Sequence, residues 1–467
     1  MAFIGRQQEL AALEERYASG HFEFCVMYGR RRVGKTTLIN RFVQGKPTVF
    51  FSAMQASVQE NLEVFSATLM EALSSGTTKA VFSSFGDAFA QFFEHAADQR
   101  LVLVIDEYPY LVQSYPAVSS LLQHLVDRHQ ANSLAFIILN GSSMTQMSEE
   151  FFTNNRPLYG RKTFQMKVRP FGFFEMREYF SQTDPLRLPY LYAIYGGIPK
   201  YFEYYREELS LRQNIITDFL SIGAPLLEEP DAVLKKEVRE PTVYNTLFAA
   251  IARGVHKYSE LSSKSNLASG NISRYLETLV FLNLVRREVP VYTNEKKKAL
   301  YLIDDNMFRF WYRFVARSLS LVNSNRPELA YKAVEEGLEQ FMSEAFERIC
   351  LEYLWRVDGA DKLPFVFTEA GRWWGGNPLA QKESEIDILA HDGAKSALFC
   401  ECKWSSRKVG EDVLEELAAK TLLPQFSALS KKHLALFSRS GFTQRCQKAA
   451  AAQGNVVLFS LEDIIGV

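Results

Sequence analysis

Residues 22–43 read FEFCVMYGRRRVGKTTLINRFV. A mostly apolar run ends at Gly29. Gly29-Arg-Arg-Arg-Val-Gly34-Lys35-Thr36 then keeps the spacing G-x-x-x-x-G-K-[ST], and an amphipathic segment follows. Strand, glycine-bearing loop and helix in that order let backbone N–H groups converge on phosphate oxygens, and the helix N-terminus adds favourable partial charge. Lys35 is placed to neutralise β- and γ-phosphates. The Thr36 hydroxyl is placed to ligate Mg²⁺, with Thr37 beside it as a further nucleotide contact.

Working outward, 48–53 (TVFFSA), 101–107 (LVLVIDE) and 134–141 (LAFIILNG) are further short apolar runs. Segments with helical spacing separate them, such as Leu62, Phe65, Leu69 and Leu73. Buried strands alternating with helices predict an α/β fold with a mainly parallel sheet. Asp106 ends one strand and is suited to hold the Mg²⁺ water shell. Glu107, the next residue, is suited to accept a proton from an attacking water.

The chain has 467 residues, too many for one core, which suggests about three domains. A formal net charge of −1 gives no global drive toward nucleic acid, so DNA contact would need local basic patches. The five cysteines, Cys25, Cys350, Cys400, Cys402 and Cys446, are irregularly spaced and read as core residues rather than disulfides or a zinc site. The opening MAFIGRQQELAALEERY has no basic region followed by an apolar stretch, so no signal peptide is expected. No apolar run approaches the roughly 18 residues of a membrane span. The expectation is a cytoplasmic protein without a membrane partner.

Together with the loop, Phe3–Leu10 (F-x-G-R-x-x-E-L), LVLVIDE, LNGSS (139–143), PLYGR (157–161) and YGGIPKY (195–201) resemble the prokaryotic ATPases grouped with AAA+ and STAND NTPases. The resemblance implies ATP as ligand and assigns individual roles. Asn140 or Ser142 would sense the γ-phosphate, and Arg161 would act as a finger-like arginine, with a surface strand-end arginine as the alternative. Pro199 would approach the adenine from a helical lid, and Arg6 would lie near the nucleotide.

Residues 238–303 carry three helix-like segments and then two strand-like ones, the rhythm of a winged helix. Ser269 or Asn271 can cap the third helix, whose Ile272, Leu276, Leu279 and Leu282 face a small core. Asn271, Ser273 and Arg274 would be exposed toward a groove, and Lys296, Lys297 and Lys298 would sit at the wing tip near phosphates. Such modules also serve as packing or relay elements.

From residue 341 a second α/β pattern reads as helix, strand, a Gly/Trp turn (GRWWGG), strands EIDILAH and SALFCECKW, then helix, strand, helix and strand. Glu347 on the helix, Asp387 in a strand and Glu401-Cys-Lys403 in the next resemble the PD-(D/E)XK nuclease fold, with Ile386 in place of the family's Pro. Asp387 and Glu401 would share one Mg²⁺ or Mn²⁺, a hard ion suited to oxygen ligands. In E-x-K, period two puts both side chains on one strand face, with Lys403 near the water and the phosphate. Glu347 would complete the metal shell; the alternative is an inactive copy of that fold or a salt-bridged strand end.

The expected architecture is a P-loop core (1–165), helical lid (166–235), winged helix (236–305), connecting helices (306–340) and a nuclease-like α/β domain (341–467). The expected function is an ATP-hydrolysing regulator coupled to metal-dependent DNA cleavage, with DNA and a homo-oligomer among its partners. The alternatives are a nucleotide-switched DNA-binding regulator that does not cut, and an ATP-binding assembly scaffold.

Overall fold

The computed structural model describes residues 3–73, 81–265, 269–293, 295–360, 362–378 and 381–466. The chain divides into two compact units. One comprises Met1–Phe171, Ile198–Lys200 and Val233–Arg239, the other Gly172–Gly197, Tyr201–Ala232 and Glu240–Val467.

In the first unit, strands β1 (Glu23–Tyr28), β2 (Thr48–Ser52), β3 (Leu101–Asp106), β4 (Ala135–Gly141) and β5 (Phe164–Lys167) form one sheet in the order β2-β3-β4-β1-β5. Every pairing is parallel. β1, β3 and β4 are buried at every residue, because helices cover both faces of a parallel sheet. Leu62, Phe65 and Leu69 of the helix Val58–Leu73 are buried as their spacing requires, and Phe65 packs on Phe89 with ring centroids 4.9 Å apart. β4 separates β1 from β3, and Met27 pairs with Asn140 while Ile105 pairs with Leu139. The carboxyl ends of three adjacent strands therefore meet where open α/β sheets bind ligands.

The strands expected between residues 22 and 141 are all present. β5 was not expected, since the pattern was read as helical after about residue 165. It is a four-residue edge strand with no fully buried side chain, so it carries little apolar signal.

In the second unit, helices 241–251, 258–264 and 269–281 precede an antiparallel ribbon of β6 (Val285–Glu288) and β7 (Leu300–Ile303). Ile272, Leu276, Leu279 and Leu282 are buried at 0–1% exposure, as their spacing predicts. Beyond it, β8 (Glu369–Asn377), β9 (Lys382–His391), β10 (Ser396–Lys403), β11 (Lys431–Ser438) and β12 (Val456–Ser460) form a sheet in the order β12-β11-β10-β9-β8. β8, β9 and β10 are antiparallel neighbours, whereas β10, β11 and β12 run parallel. β10 is buried from Ser396 to Cys402 and runs through the middle of this sheet. One face packs Trp373, Ile386, Phe399, Leu417 and Phe426 into a core.

Two expectations change here. GRWWGG is not a turn but the body of β8, where Trp373 is 1% exposed and a bulge between Gly371 and Trp373 absorbs the glycine. The border placed at 340/341 falls inside one continuous helix, Pro327–Val357, whose buried positions run from Ala330 to Val357 without a break. All five cysteines are buried and free. Among the described residues, no helix is long and apolar enough to cross a membrane.

Candidate functional sites

The loop after β1 is built as its sequence requires. A Cβ on Gly29 would lie 2.3 Å from the Val168 carbonyl oxygen, so only glycine lets the loop run this close to the end of β5. Gly34 has φ 93° and immediately precedes the helix Lys35–Phe42, a conformation that suits glycine. Lys35 is 5% exposed, and its ammonium donates to the carbonyls of Gly29 (2.8 Å) and Arg30 (3.0 Å). Burial lowers its pKa to about 8, partly opposed by the charges of Glu107, Asp106 and Glu237. Thr37 is exposed on the first turn.

The Thr36 hydroxyl donates to Asp106 Oδ2 at 3.1 Å. Two oxygen ligands therefore stand side by side, a donor set that suits a hard divalent cation. The Asn140 amide donates to the other Asp106 oxygen, and Asn140 Oδ1 is buried without a hydrogen-bond partner among the described residues. Glu107 has φ 53° at the start of the helix Tyr108–Ser114. Its carboxylate accepts from the Ser142 N–H (3.2 Å) and hydroxyl (2.9 Å). Ser142 in turn accepts from the Lys236 ammonium at 2.8 Å. Asn140 and Ser142 are thus separated in role: the first holds Asp106, the second holds Glu107.

The remaining residues of this unit are placed as follows. Arg6, 8% exposed, donates to the carbonyls of Val33 (3.0 Å) and Arg169 and lies over the Phe171 ring, so it braces the loop backbone. Arg161 forks onto Asp127 at 2.9 and 3.0 Å and also donates to the carbonyls of Pro157 and Tyr159. Pro199 opens the short helix Pro199–Phe202, and residues 198–200 belong to the first unit.

In the second unit, Asn271 and Arg274 are exposed as expected. Ser273 is not: it is half-buried and hydrogen-bonded to the Tyr258 hydroxyl at 2.9 Å. Lys296–Lys298 form a 3₁₀ turn in the connection between β6 and β7, and Lys298 pairs with Glu295 at 2.5 Å. The Ser269 and Lys296 side chains lie outside the described residues.

The C-terminal constellation does come together. Glu401 and Lys403 share one face of β10 and form an ion pair at 2.6 Å. Asp387 on the neighbouring β9 accepts from the Cys402 N–H at 2.7 Å. Burial, reinforced by the Glu401 charge, raises the Asp387 pKa to about 6. Burial and the Asp387 charge push Glu347 well above the carboxylate range. Burial would raise Glu401 too, but Lys403 and Lys420 outweigh it and hold it low. Two crowded carboxyls that resist ionisation fit a hard cation in chemistry. Against that, both Glu401 oxygens are held by ammonium groups, and among the described residues no three His, Cys, Asp or Glu side chains are grouped to hold a metal.

Sequence reading missed Lys236, Glu237 and Lys420. Lys420 donates to Glu401 at 2.9 Å from the end of the helix Glu411–Lys420. Glu237 caps the helix Met144–Phe152, accepting from the N–H groups of Met144 (3.3 Å) and Thr145 (3.2 Å). The run Lys235-Lys236-Glu237 was the available signal, but nothing in its spacing ties it to residues 142–145, more than ninety positions earlier.

The chain is similar to several known proteins. The model of an ATPase domain predominantly from Archaea matches residues 3–205, and one of archaeal and bacterial proteins of unknown function matches residues 311–417. The fold is similar to that of the Walker-type ATPase PABY2304 of Pyrococcus abyssi, with TM-score 0.50 and 16% identity over 67% of this chain and 96% of that one. A stretch of 44 residues is 43% identical to the uncharacterized ATP-binding protein MJ0423 of Methanocaldococcus jannaschii, covering 9% of this chain and 75% of that protein. The uncharacterized protein MJECL04 of the same organism is 31% identical over 408 residues, 87% of this chain and 88% of that protein. With that extent of identity, the chain belongs to the family of MJECL04, and its residues 3–205 are a P-loop ATPase domain of the archaeal type.

Proposed function

We propose that the chain is a Mg²⁺-dependent ATPase that acts as a nucleotide-controlled regulator of its second unit. The observation that carries this reading is the hydrogen bond between Thr36 and Asp106, with Glu107 one residue further on and held in place by Ser142. Thr36 and Asp106 would hold the ion, which supplies charge neutralisation between the β- and γ-phosphates. Lys35 exchanges its two loop carbonyls for phosphate oxygens. Glu107 leaves Ser142 and takes the proton of the attacking water; the water oxygen bonds to the γ-phosphorus, and the bond to the ADP oxygen breaks. Arg161 could serve as a finger only by leaving Asp127. That pair is partly exposed and worth about 0–1 kcal/mol, so the exchange costs little.

The test is phosphate release from ATP by the purified chain with Mg²⁺ and with EDTA, and ATP binding by Lys35→Ala. The expected result is turnover only with Mg²⁺ and loss of tight binding in the variant. Turnover in EDTA, or full affinity in Lys35→Ala, overturns it.

A second reading concerns the Asp387, Glu401 and Lys403 cluster, where a carboxylate pair and a lysine share adjacent strands. We propose metal-dependent phosphodiester cleavage there. Asp387 and Glu401 would hold an ion that supplies an activated water, and Lys403 would move from Glu401 to a phosphate oxygen. Residues 240–305, since 236–239 belong to the first unit, are read as a winged helix that presents Asn271 and Arg274, with Lys297 and Lys298, to DNA. Labelled DNA with Mg²⁺ or Mn²⁺ separates the outcomes: cutting that Lys403→Ala abolishes while ATP hydrolysis persists supports cleavage. Salt-sensitive DNA binding without cutting favours a non-cleaving regulator.

A further inference from the structure

The second unit contains a cavity of about 530 Å³ that shares only Glu347 with the cluster of Asp387, Glu401 and Lys403. Ile251 and Arg253, at the end of the helix Pro241–Ile251, form one wall. Arg309 and Arg313 come from the helix Asn306–Phe310 and the π turn Trp311–Val315 that continues it. Phe341 and Glu347, from the helix Pro327–Val357, close the far side.

Arg309 is the group that needs explaining. It is 8% exposed and its guanidinium lies over the Phe341 ring, 3.9 Å from the centroid. Nη1 is satisfied by the Phe341 carbonyl (3.2 Å) and by Glu344 (3.1 Å), but Nε and Nη2 have no hydrogen-bond partner among the described residues. Leaving buried charged donors unmet costs free energy that a fold has no structural reason to spend. Glu344 cannot meet the need alone, because it is shared with Arg286 at 2.9 Å. Arg253 is exposed and Arg313 half-buried, and among the described residues neither has an ion pair.

Three arginines thus line one cavity together with the shared carboxylate of Glu344 and with Glu347. Planar donor forks of this kind select phosphate, which accepts two parallel hydrogen bonds from each. Ile251 and Phe341, 3% and 8% exposed, add an apolar edge to the same cavity. A volume within the range of small-ligand sites matches a nucleotide rather than an inorganic ion. The π turn that carries Arg313 is a second sign, since an inserted residue in a helix is costly and concentrates at functional sites.

We propose that this cavity binds a nucleotide-class phosphate ester, its phosphate engaged by Arg253, Arg309 and Arg313 and its ring or sugar against Phe341 and Ile251. The site shares no residue with the phosphate loop. Glu347 belongs to its wall and also to the carboxylate cluster, so a bound ligand would touch the second unit's own chemistry.

The test is isothermal titration of AMP into the full chain carrying Lys35→Ala, which disables the phosphate loop. The expected result is saturable binding, weakened tenfold or more by Arg253→Gln and by Arg313→Gln, with unchanged melting temperature. These two residues carry the test because Arg309→Gln, at a buried position, could fail to fold. Absence of saturable binding, or affinity unchanged by both substitutions, overturns the proposal. Inorganic phosphate binding as tightly as AMP overturns the nucleotide class. A single-stranded oligonucleotide that binds through the same arginines when AMP does not assigns them to nucleic acid instead.

Discussion

Asp218 shows how a single buried residue sets a measurable property. It is 1% exposed, accepts from the Tyr195 hydroxyl at 2.7 Å and faces Arg206 at 3.5 Å. Burial outweighs both and raises its pKa from 3.8 to about 6. Between those values the unfolded chain has released the proton while the folded chain keeps it, so stability falls as pH rises through that window. A shift of about two units corresponds to roughly 3 kcal/mol. Asp218→Asn keeps an acceptor for Tyr195 and removes the ionisation. Urea unfolding between pH 4 and 7 should show a decline in the wild type that is absent in the variant, with Asp218→Asn the more stable protein at pH 7. A parallel decline in both would place the titrating group elsewhere. At the phosphate-loop site the same scale separates residues proposed to touch ligand, Lys35 and Thr36, from Asn140, Ser142 and Lys236, whose hydrogen bonds hold Asp106 and Glu107.

At the scale of elements, the helix Met144–Phe152 begins next to Ser142 and is capped by Glu237, which approaches from a segment far along the chain. Removing a side-chain cap costs about 1 kcal/mol. Glu237→Ala should therefore lower the unfolding midpoint of the ATPase unit and loosen its neighbour Lys236, raising KM for ATP more than it lowers kcat. Unchanged melting and kinetics would show that the cap is redundant. Gly29→Ala makes a sharper case: its Cβ would meet the Val168 carbonyl at 2.3 Å, so the loop must shift and ATP affinity should fall tenfold or more in a filter-binding assay. Normal affinity would mean that the loop tolerates displacement from β5.

These elements also show what a sequence discloses. β1, β3 and β4 were legible because strands buried on both faces are continuous apolar runs, and the loop because its glycines and lysine have fixed spacing. Glu401 and Lys403 were legible as one strand face because the period is two, whereas Asp387 was reached only through the resemblance to the nuclease fold. β5 is too short and too exposed to leave a pattern, and β8 hides a fully buried Trp373 among glycines that suggest a turn. Lys236, Glu237 and Lys420 reach their partners through tertiary folding alone, so no local spacing announces them.

At the scale of the whole molecule, each of the two units carries a charged cluster, the first at the ends of β1, β3 and β4 and the second on β9 and β10. The family relation spans 87% of the chain. The claim on which the rest depends is that Glu107 completes a working ATPase around Thr36 and Asp106. The most direct measurement is ATP binding and single-turnover hydrolysis in Glu107→Gln beside the wild type, with Mg²⁺ present. Retained ATP affinity with hydrolysis slowed about a hundredfold or more is the predicted result, since a general base contributes roughly 10²–10⁴-fold. Hydrolysis at the wild-type rate in Glu107→Gln would contradict the account.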